Sequence, residues 1–385
     1  MKKFLIYLPY SEFIDSYEHK ALGGIPIGFV QAGYDTSMIV GIMRSVQFRK
    51  NNIKIYETGN LDDKYILGEQ AAVKKIIPRI KNFFDLNEYI KVYRILKNHQ
   101  PDIFLAYNNS TLTPLIIWRY KLFSKFHGIK TKFIVKLDND GSDIEGITGV
   151  RKLILALYYR VLGHIFDEVI TETSCGLSLF SQFRGLANKI RTIPNTVFDD
   201  FLENSKKNFD KIIISVSRIT AIKGIENLIV SFKSIAANYP DWNLQIIGAI
   251  EDKEYYSHLV EMVNSYDLEN RLIFTGEKNR EELIEIYKRA SIYCLFSEHE
   301  SFAISRLEAV AMGLYVITTP AGCATDISKY GVHIMEWDTP ECGSKYIEVG
   351  ITAIESGTFR SNSIKIPSYK DIALEIAGTV EDHNI

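Results

Sequence analysis

Short apolar runs recur along the chain, separated by longer stretches in which apolar residues return every three or four positions. In the first half the runs are KFLIYL, TSMIVGI, IKIYE, IFLAY, KFIVKL and EVITE; in the second they are KIIISVS, NLQIIG, RLIFTG, SIYCLF and LYVITT. Runs of this length alternating with helical patterns predict parallel strands joined by crossover helices. Their near-continuous apolarity fits strands buried on both faces. The rhythm breaks and restarts once, at DDFLENSKKNFD (199–210), which is polar and has no period. The pattern predicts an α/β chain of two doubly wound domains facing a central cleft. The expected division is an N-terminal domain over 1–198, a linker over 199–210, a C-terminal domain over 211–365, and a segment over 366–385 placed to pack back on the N-terminal domain.

Composition agrees with a two-domain globular chain: 385 residues, 46% hydrophobic and 24% charged. The net charge of −2 hides an asymmetry, because residues 1–200 hold 27 Lys and Arg against 20 Asp and Glu, whereas residues 201–385 hold 18 against 27. A basic front half and an acidic back half point to domains with different partners. The four cysteines form no C-x-x-C pair and three lie in apolar settings, which fits an intracellular protein. MKKFLIYLPYSEF turns polar too soon for a signal peptide and reads as a first strand. No apolar stretch reaches the roughly 18 residues of a membrane span.

Chemistry concentrates beyond the strands of the second half, where ligands of doubly wound sheets bind. In SVSRITAIKGIENLIVSF, Arg218 and Lys223 follow a strand and precede a helix. Two cations beside a helix N-terminus suit a phosphate-bearing ligand, since Arg forks two oxygens and the helix end adds partial positive charge. Alone, the pair also fits a solvated loop. In SEHESFAISRLEAVAMG, Glu300 lies at a strand mouth and Glu308 just inside the next helix. Each alone fits a helix-end electrostatic device. Together they suit a polyol, because ionised carboxylates bind hydroxyls strongly, with free N–H groups at Ser301–Ile304 facing a phosphate between them. Cations for a diphosphate and carboxylates for ribose and sugar describe a nucleoside diphosphate sugar.

The stretch from Ser215 to about Asp326 resembles the donor domain of the retaining family 4 glycosyltransferases, in which two Rossmann-like domains form the GT-B fold. The R-x4-K pair matches at Arg218 and Lys223, and the E-x7-E motif at Glu300 and Glu308. IPNTV (193–197) resembles the segment before the interdomain crossing, and GGIP (23–26) the first-strand glycine loop. The resemblance implies that Arg218 and Lys223 neutralise the donor diphosphate, that Glu308 holds ribose, and that Glu300, Ser301, Phe302, Ala303 and Ile304 hold sugar and phosphate. It also implies that Gly23 and Gly24 let a first-domain loop approach the phosphates. Because Arg218 and Lys223 already supply positive charge there, no metal or other cofactor is expected. The family's E-G-F-G reads Glu300-Ser301-Phe302-Ala303 here, the glycine after IPN is Thr196, and Asp326 stands where Glu is usual.

In KFIVKLDNDGSD, Asp138, Asp140 and Asp143 follow a strand. The cluster fits a turn, a catalytic role for Asp138 at the position where the family often has His or Asp, or a D-x-D metal site at Asp138 and Asp140. No zinc motif, P-loop or dinucleotide fingerprint is present. No acidic residue occurs between Asp102 and Asp138, an interval holding Arg119, Lys121, Lys125, Lys130, Lys132 and Lys136. With VKKIIPRIKNFF upstream, residues 74–136 read either as a solvated face or as a basic surface on an anionic membrane. No nucleic-acid module appears. The expected protein is a cytoplasmic glycosyltransferase, at the inner face of the membrane where it is peripheral, moving sugar from a UDP- or GDP-linked donor to a glycan or lipid-linked acceptor in cell-surface polysaccharide synthesis. The alternatives are a nucleotide-sugar epimerase, a metal-dependent transferase using Asp138 and Asp140, and a non-catalytic nucleotide-sugar-binding protein.

Overall fold

The computed structural model describes residues 1–9, 11–18, 20–59, 85–107, 112–137, 146–203, 210–335, 340–360 and 365–379. The chain divides into two compact units: residues 1–196 with the stretch from Pro367, and Val197–Ile366. Each carries its own main sheet.

The first unit carries β1 (Lys3–Tyr7), β2 (Glu12–Phe13), β3 (Asp35–Val40), β4 (Ile42–Met43), β5 (Lys54–Glu57), β6 (Ile103–Tyr107), β7 (Lys132–Leu137), β8 (Glu168–Thr171) and β9 (Ile190–Thr192). Seven of them form a sheet in the order β5-β3-β1-β6-β7-β8-β9, with β2 and β4 paired apart. The second unit carries β10 (Ile212–Val216), β11 (Asn243–Ile247), β12 (Leu272–Gly276), β13 (Ile292–Leu295), β14 (Tyr315–Thr318) and β15 (Val332–Ile334), ordered β12-β11-β10-β13-β14-β15. The pairings within both sheets are parallel. Central strands are sealed on both faces: Phe4, Leu5, Ile6 and Tyr7 of β1 and Ile292, Tyr293 and Cys294 of β13 are fully buried. That burial is why these segments read as unbroken apolar runs.

Strand order fixes where a ligand can enter. In the second unit the chain steps outward from β10 through β11 to β12, then returns to pair β13 against the other edge of β10. The carboxyl ends of β10 and β13 therefore flank the topological switch point, where neighbouring loops diverge and leave a crevice.

Three expectations need correction. The glycines of GGIP are not in a loop; Gly23 and Gly24 lie inside the helix Ala21–Gln31. A methyl on Gly24 would lie 2.2 Å from the Tyr369 ring, and one on Gly23 2.4 Å from the Glu18 carbonyl oxygen. Close packing against the helix Tyr369–Ala377 outweighs the poor helix propensity of three glycines and Pro26. The linker expected over 199–210 begins with a helix, Asp199–Glu203, belonging to the second unit. There Phe201 is buried edge-on to Tyr287 and Asp200 pairs with Arg280; residues 204–209 lie outside the described residues. Finally, the basic interval is not one surface. Lys136 is 1% exposed on β7 and paired with Glu172, and Lys132 pairs with Glu168, whereas Arg119, Lys125 and Lys130 are exposed. Residues 74–84 lie outside the described residues.

Candidate active site

The loop after β10 carries Arg218, then a single 3-10 turn, Ala221–Lys223, and the helix Ile225–Ala236. Gly224 joins turn to helix at φ +61°, and a methyl there would lie 1.9 Å from the Phe296 carbonyl oxygen. Only glycine allows both the left-handed backbone and this approach to the end of β13. The Glu298 N–H then donates to the Ile222 carbonyl at 2.9 Å, tying the two switch-point loops together.

This tie places Lys223 against Glu300. Lys223 Nζ lies 2.7 Å from Glu300 Oε1, both side chains about one-tenth exposed, and the Ser297 hydroxyl donates to the same oxygen at 2.7 Å. Arg218 is elsewhere in the same loop system: its Nη1 is 2.7 Å from Glu251 Oε2 in a solvent-open pair beyond β11. Its guanidinium stays accessible to an anion, because exposed pairs of this kind are weak.

The segment after Glu300 turns sharply into the helix Ile304–Ala311. Phe302 is buried, and Ala303 caps the helix at φ +57°, a left-handed conformation that costs a residue with a side chain. The first N–H groups of the helix point out of it without intrahelical acceptors. One turn on, the Glu308 carboxyl lies deep enough that burial raises its pKa to about 7. The Tyr287 hydroxyl is 3.1 Å from Glu308 Oε2 and 3.1 Å from the Ser305 carbonyl, with one proton to share between them. The charge of Arg280 favours the Glu308 carboxylate and that of Asp200 opposes it.

Sequence reading missed the residue that organises this loop. Arg306 is fully buried, and its guanidinium donates to Phe302 O at 2.7 Å, Ala321 O at 2.7 Å and Gly322 O at 3.2 Å. Burial lowers its pKa, while the charges of Glu300, Tyr293 and Asp326 oppose that shift. It thereby fixes the loop after β14 against the helix start, and a methyl on Gly322 would lie 2.7 Å from Glu300 Cβ. The only sequence signal was a cation inside an apolar helical stripe. Tyr287 and Ser297 were missed as well, being ordinary residues until the fold brings them to a carboxylate.

The structure thus brings Lys223 and Glu300 into contact, sets Glu308 one turn beyond, and leaves Arg218, in the same loop as Lys223, paired with Glu251 beyond β11. Gly23 and Gly24 belong to a packed helix of the first unit. Asp138, Asp140 and Asp143 lie outside the described residues, among which no group of three or more His, Cys, Asp or Glu is arranged to hold a metal. No helix of the described residues is long and apolar enough to cross a membrane.

Residues 198–336 match the family described as glycosyl transferases group 1, which covers the switch-point loops. An uncharacterised glycosyltransferase of Methanocaldococcus jannaschii is 27% identical over 292 residues, 71% of this chain and 69% of that protein. A glycosyltransferase from Rickettsia africae superposes with a TM-score of 0.66 at 16% identity, over 98% of this chain and 93% of its own. The Anabaena protein HepE, solved with UDP and glucose, superposes at 0.63 with 14% identity, over 98% and 95%. At such identities the superpositions speak for the fold, and the sequence matches speak for the activity class. The chain is a GT-B glycosyltransferase with a glycosyl transferases group 1 domain in its second unit, and family 4 fits it.

Proposed function

We propose that the protein is a retaining glycosyltransferase that takes a sugar from a UDP- or GDP-linked donor and passes it to a glycan or lipid-linked sugar, without a metal ion. The observation that carries this reading is the Lys223–Glu300 contact at the switch point, which joins the loop carrying Arg218 to the segment leading into the Ile304–Ala311 helix. Lys223 leaves Glu300 for the donor diphosphate, Arg218 adds a second cation, and the helix N–H groups take a phosphate oxygen. Glu300, released from the ammonium, accepts from sugar hydroxyls, and Glu308 accepts from the ribose. The cations then balance the charge that grows on the departing diphosphate, which makes electrostatics and positioning the main sources of rate. Asp138, at the sequence position where the family often has His or Asp, is the proposed catalytic group contributed by the first unit. HepE, of the same fold, was solved with UDP and glucose, which supports a nucleotide-linked donor. On this reading the protein works in the cytoplasm on cell-surface polysaccharide, at the inner face of the membrane.

Product analysis with a panel of UDP- and GDP-sugars tests the reading. Transfer to a sugar acceptor, with the anomeric configuration of the donor kept and with EDTA present, is the expected result. An isomerised donor would make the protein an epimerase. Activity abolished by EDTA and restored by manganese or magnesium would favour metal binding at Asp138 and Asp140.

A further inference from the structure

The helix Thr113–Phe126 buries Ile116, Ile117, Tyr120 and Ser124 and turns Leu115, Trp118, Leu122 and Phe126 to solvent, the last 85% exposed. At 3.6 residues per turn these four fall within an arc of about 80°. The helix Gly149–Ile165 repeats the arrangement, with Tyr159, Leu162 and Gly163 buried and Val150, Leu153, Ile154, Leu157 and Val161 exposed. Those five span about 100°. The two helices pack side by side in the first unit. Of the seventeen large apolar side chains exposed among the described residues, nine lie on these two helices, so the clustering is not the usual scatter of single exposed residues.

Charge selects the occupant. Neither helix contains an acidic residue, and Arg119, Lys125, Arg151, Lys152 and Arg160 are all exposed. Among the described residues, Lys125, Arg151, Lys152 and Arg160 have no carboxylate partner. Arg119 lies over the Tyr93 ring, 4.4 Å from its centroid, at the margin of the stripe. A second copy docking by a two-fold axis would set cations against cations. A nucleic acid would leave the aliphatic stripe in water. A bilayer with anionic headgroups offers both a matching charge and an acyl layer, and an exposed Trp such as Trp118 suits the boundary between them. At 1.5 Å per residue the helices are only about 21 and 26 Å long, shorter than the ~30 Å hydrocarbon core, so they lie along the surface.

We propose that the exposed faces of Thr113–Phe126 and Gly149–Ile165 form a docking surface for anionic lipid bilayers. This deepens the location given under the proposed function and rests on that reading only for its biological purpose.

The test is flotation of the full chain with phosphatidylcholine vesicles, with and without phosphatidylglycerol, in the absence of donor and acceptor. Binding should favour phosphatidylglycerol, fall as salt rises, and shift Trp118 emission to the blue. Leu153→Gln with Leu157→Gln should weaken it at least tenfold. Arg151→Gln, Lys152→Gln and Arg160→Gln together should remove the salt dependence. All five positions are exposed, and unchanged melting and UDP binding would show that the variants remain folded. Equal binding to both vesicle types, no binding at low salt, or indifference to the Leu substitutions would overturn the proposal. So would a lipid-free dimer in sedimentation equilibrium that the Leu substitutions dissolve, since a second copy would then cover the face. Because no sugar is present, failure here is separate from failure of sugar transfer.

Discussion

Lys223 and Glu300, 77 residues apart in sequence, form a 2.7 Å ion pair that bridges the loops beyond β10 and β13. Replacing the carboxylate by a neutral amide leaves a largely buried ammonium without its counter-charge until a ligand phosphate supplies one. Glu300→Gln is therefore expected to lower the stability of the free protein by about 1.5–3 kcal/mol, the range for losing a hydrogen bond to a charged group. Nucleoside diphosphate should then raise the melting temperature of the variant more than that of the wild type, while turnover falls. Equal ligand-induced shifts in the two proteins would show that the ammonium does not reach the phosphates.

Glu308 gives a pH signature. Its pKa, raised by burial from an ordinary 4.5 to about 7, means that the folded state keeps a proton the unfolded chain has already lost. Stability should fall as pH rises from about 4.5 to 7 and then level off. Glu308→Gln removes this dependence, so its urea midpoint should decline less over the same window. If the carboxylate holds ribose, wild-type affinity for nucleoside diphosphate should rise through about pH 7, and calorimetry on Glu308→Gln should find that rise gone.

Arg306 touches no expected ligand, yet three backbone carbonyls depend on its guanidinium. Arg306→Met should cost about 3 kcal/mol or more in urea unfolding, since each buried acceptor left unmet costs roughly 1–3 kcal/mol. Arg306→Lys, with its charge kept but its fork lost, should be intermediate and should raise the donor KM. A KM unchanged in the lysine variant would confine Arg306 to stability alone.

Ala303 stands in a left-handed conformation at the helix entrance. Ala303→Gly should relieve the side-chain strain and add about 0.5–1 kcal/mol of net stability, after the greater unfolded-state freedom of glycine is offset. Differential scanning calorimetry reads this directly, and a lowered melting temperature would mean that the methyl contributes packing that outweighs the strain.

Much of this architecture was legible in the chain. Eleven quoted runs mark eleven of the described strands; nine of these are largely buried and must be almost wholly apolar, while β5 and β12 are partly exposed edge strands that still carry an apolar run. β9 and β15 escaped because each is an edge strand of three residues, IRT and VHI, only partly buried. GGIP was read as a loop from its resemblance to the family's first-strand glycine loop, but Tyr369, over 340 residues away in sequence, packs where side chains on Gly24 and Gly28 would be. The spacing of Arg218, Lys223, Glu300 and Glu308 was visible as motif.

Which groups meet was not visible, because that depends on strand order. The sequence alone determined the composition of the strands and the chemical types that follow β10 and β13. Only the tertiary structure decided that β13 returns to lie against β10, and so that Lys223 faces Glu300 while Arg218 turns toward Glu251. The same holds for Arg306, whose three acceptors lie in two loops on either side of it in sequence. Periodicity records how each residue is buried, whereas contacts between distant loops arise from the closing of the sheet, which no local pattern encodes.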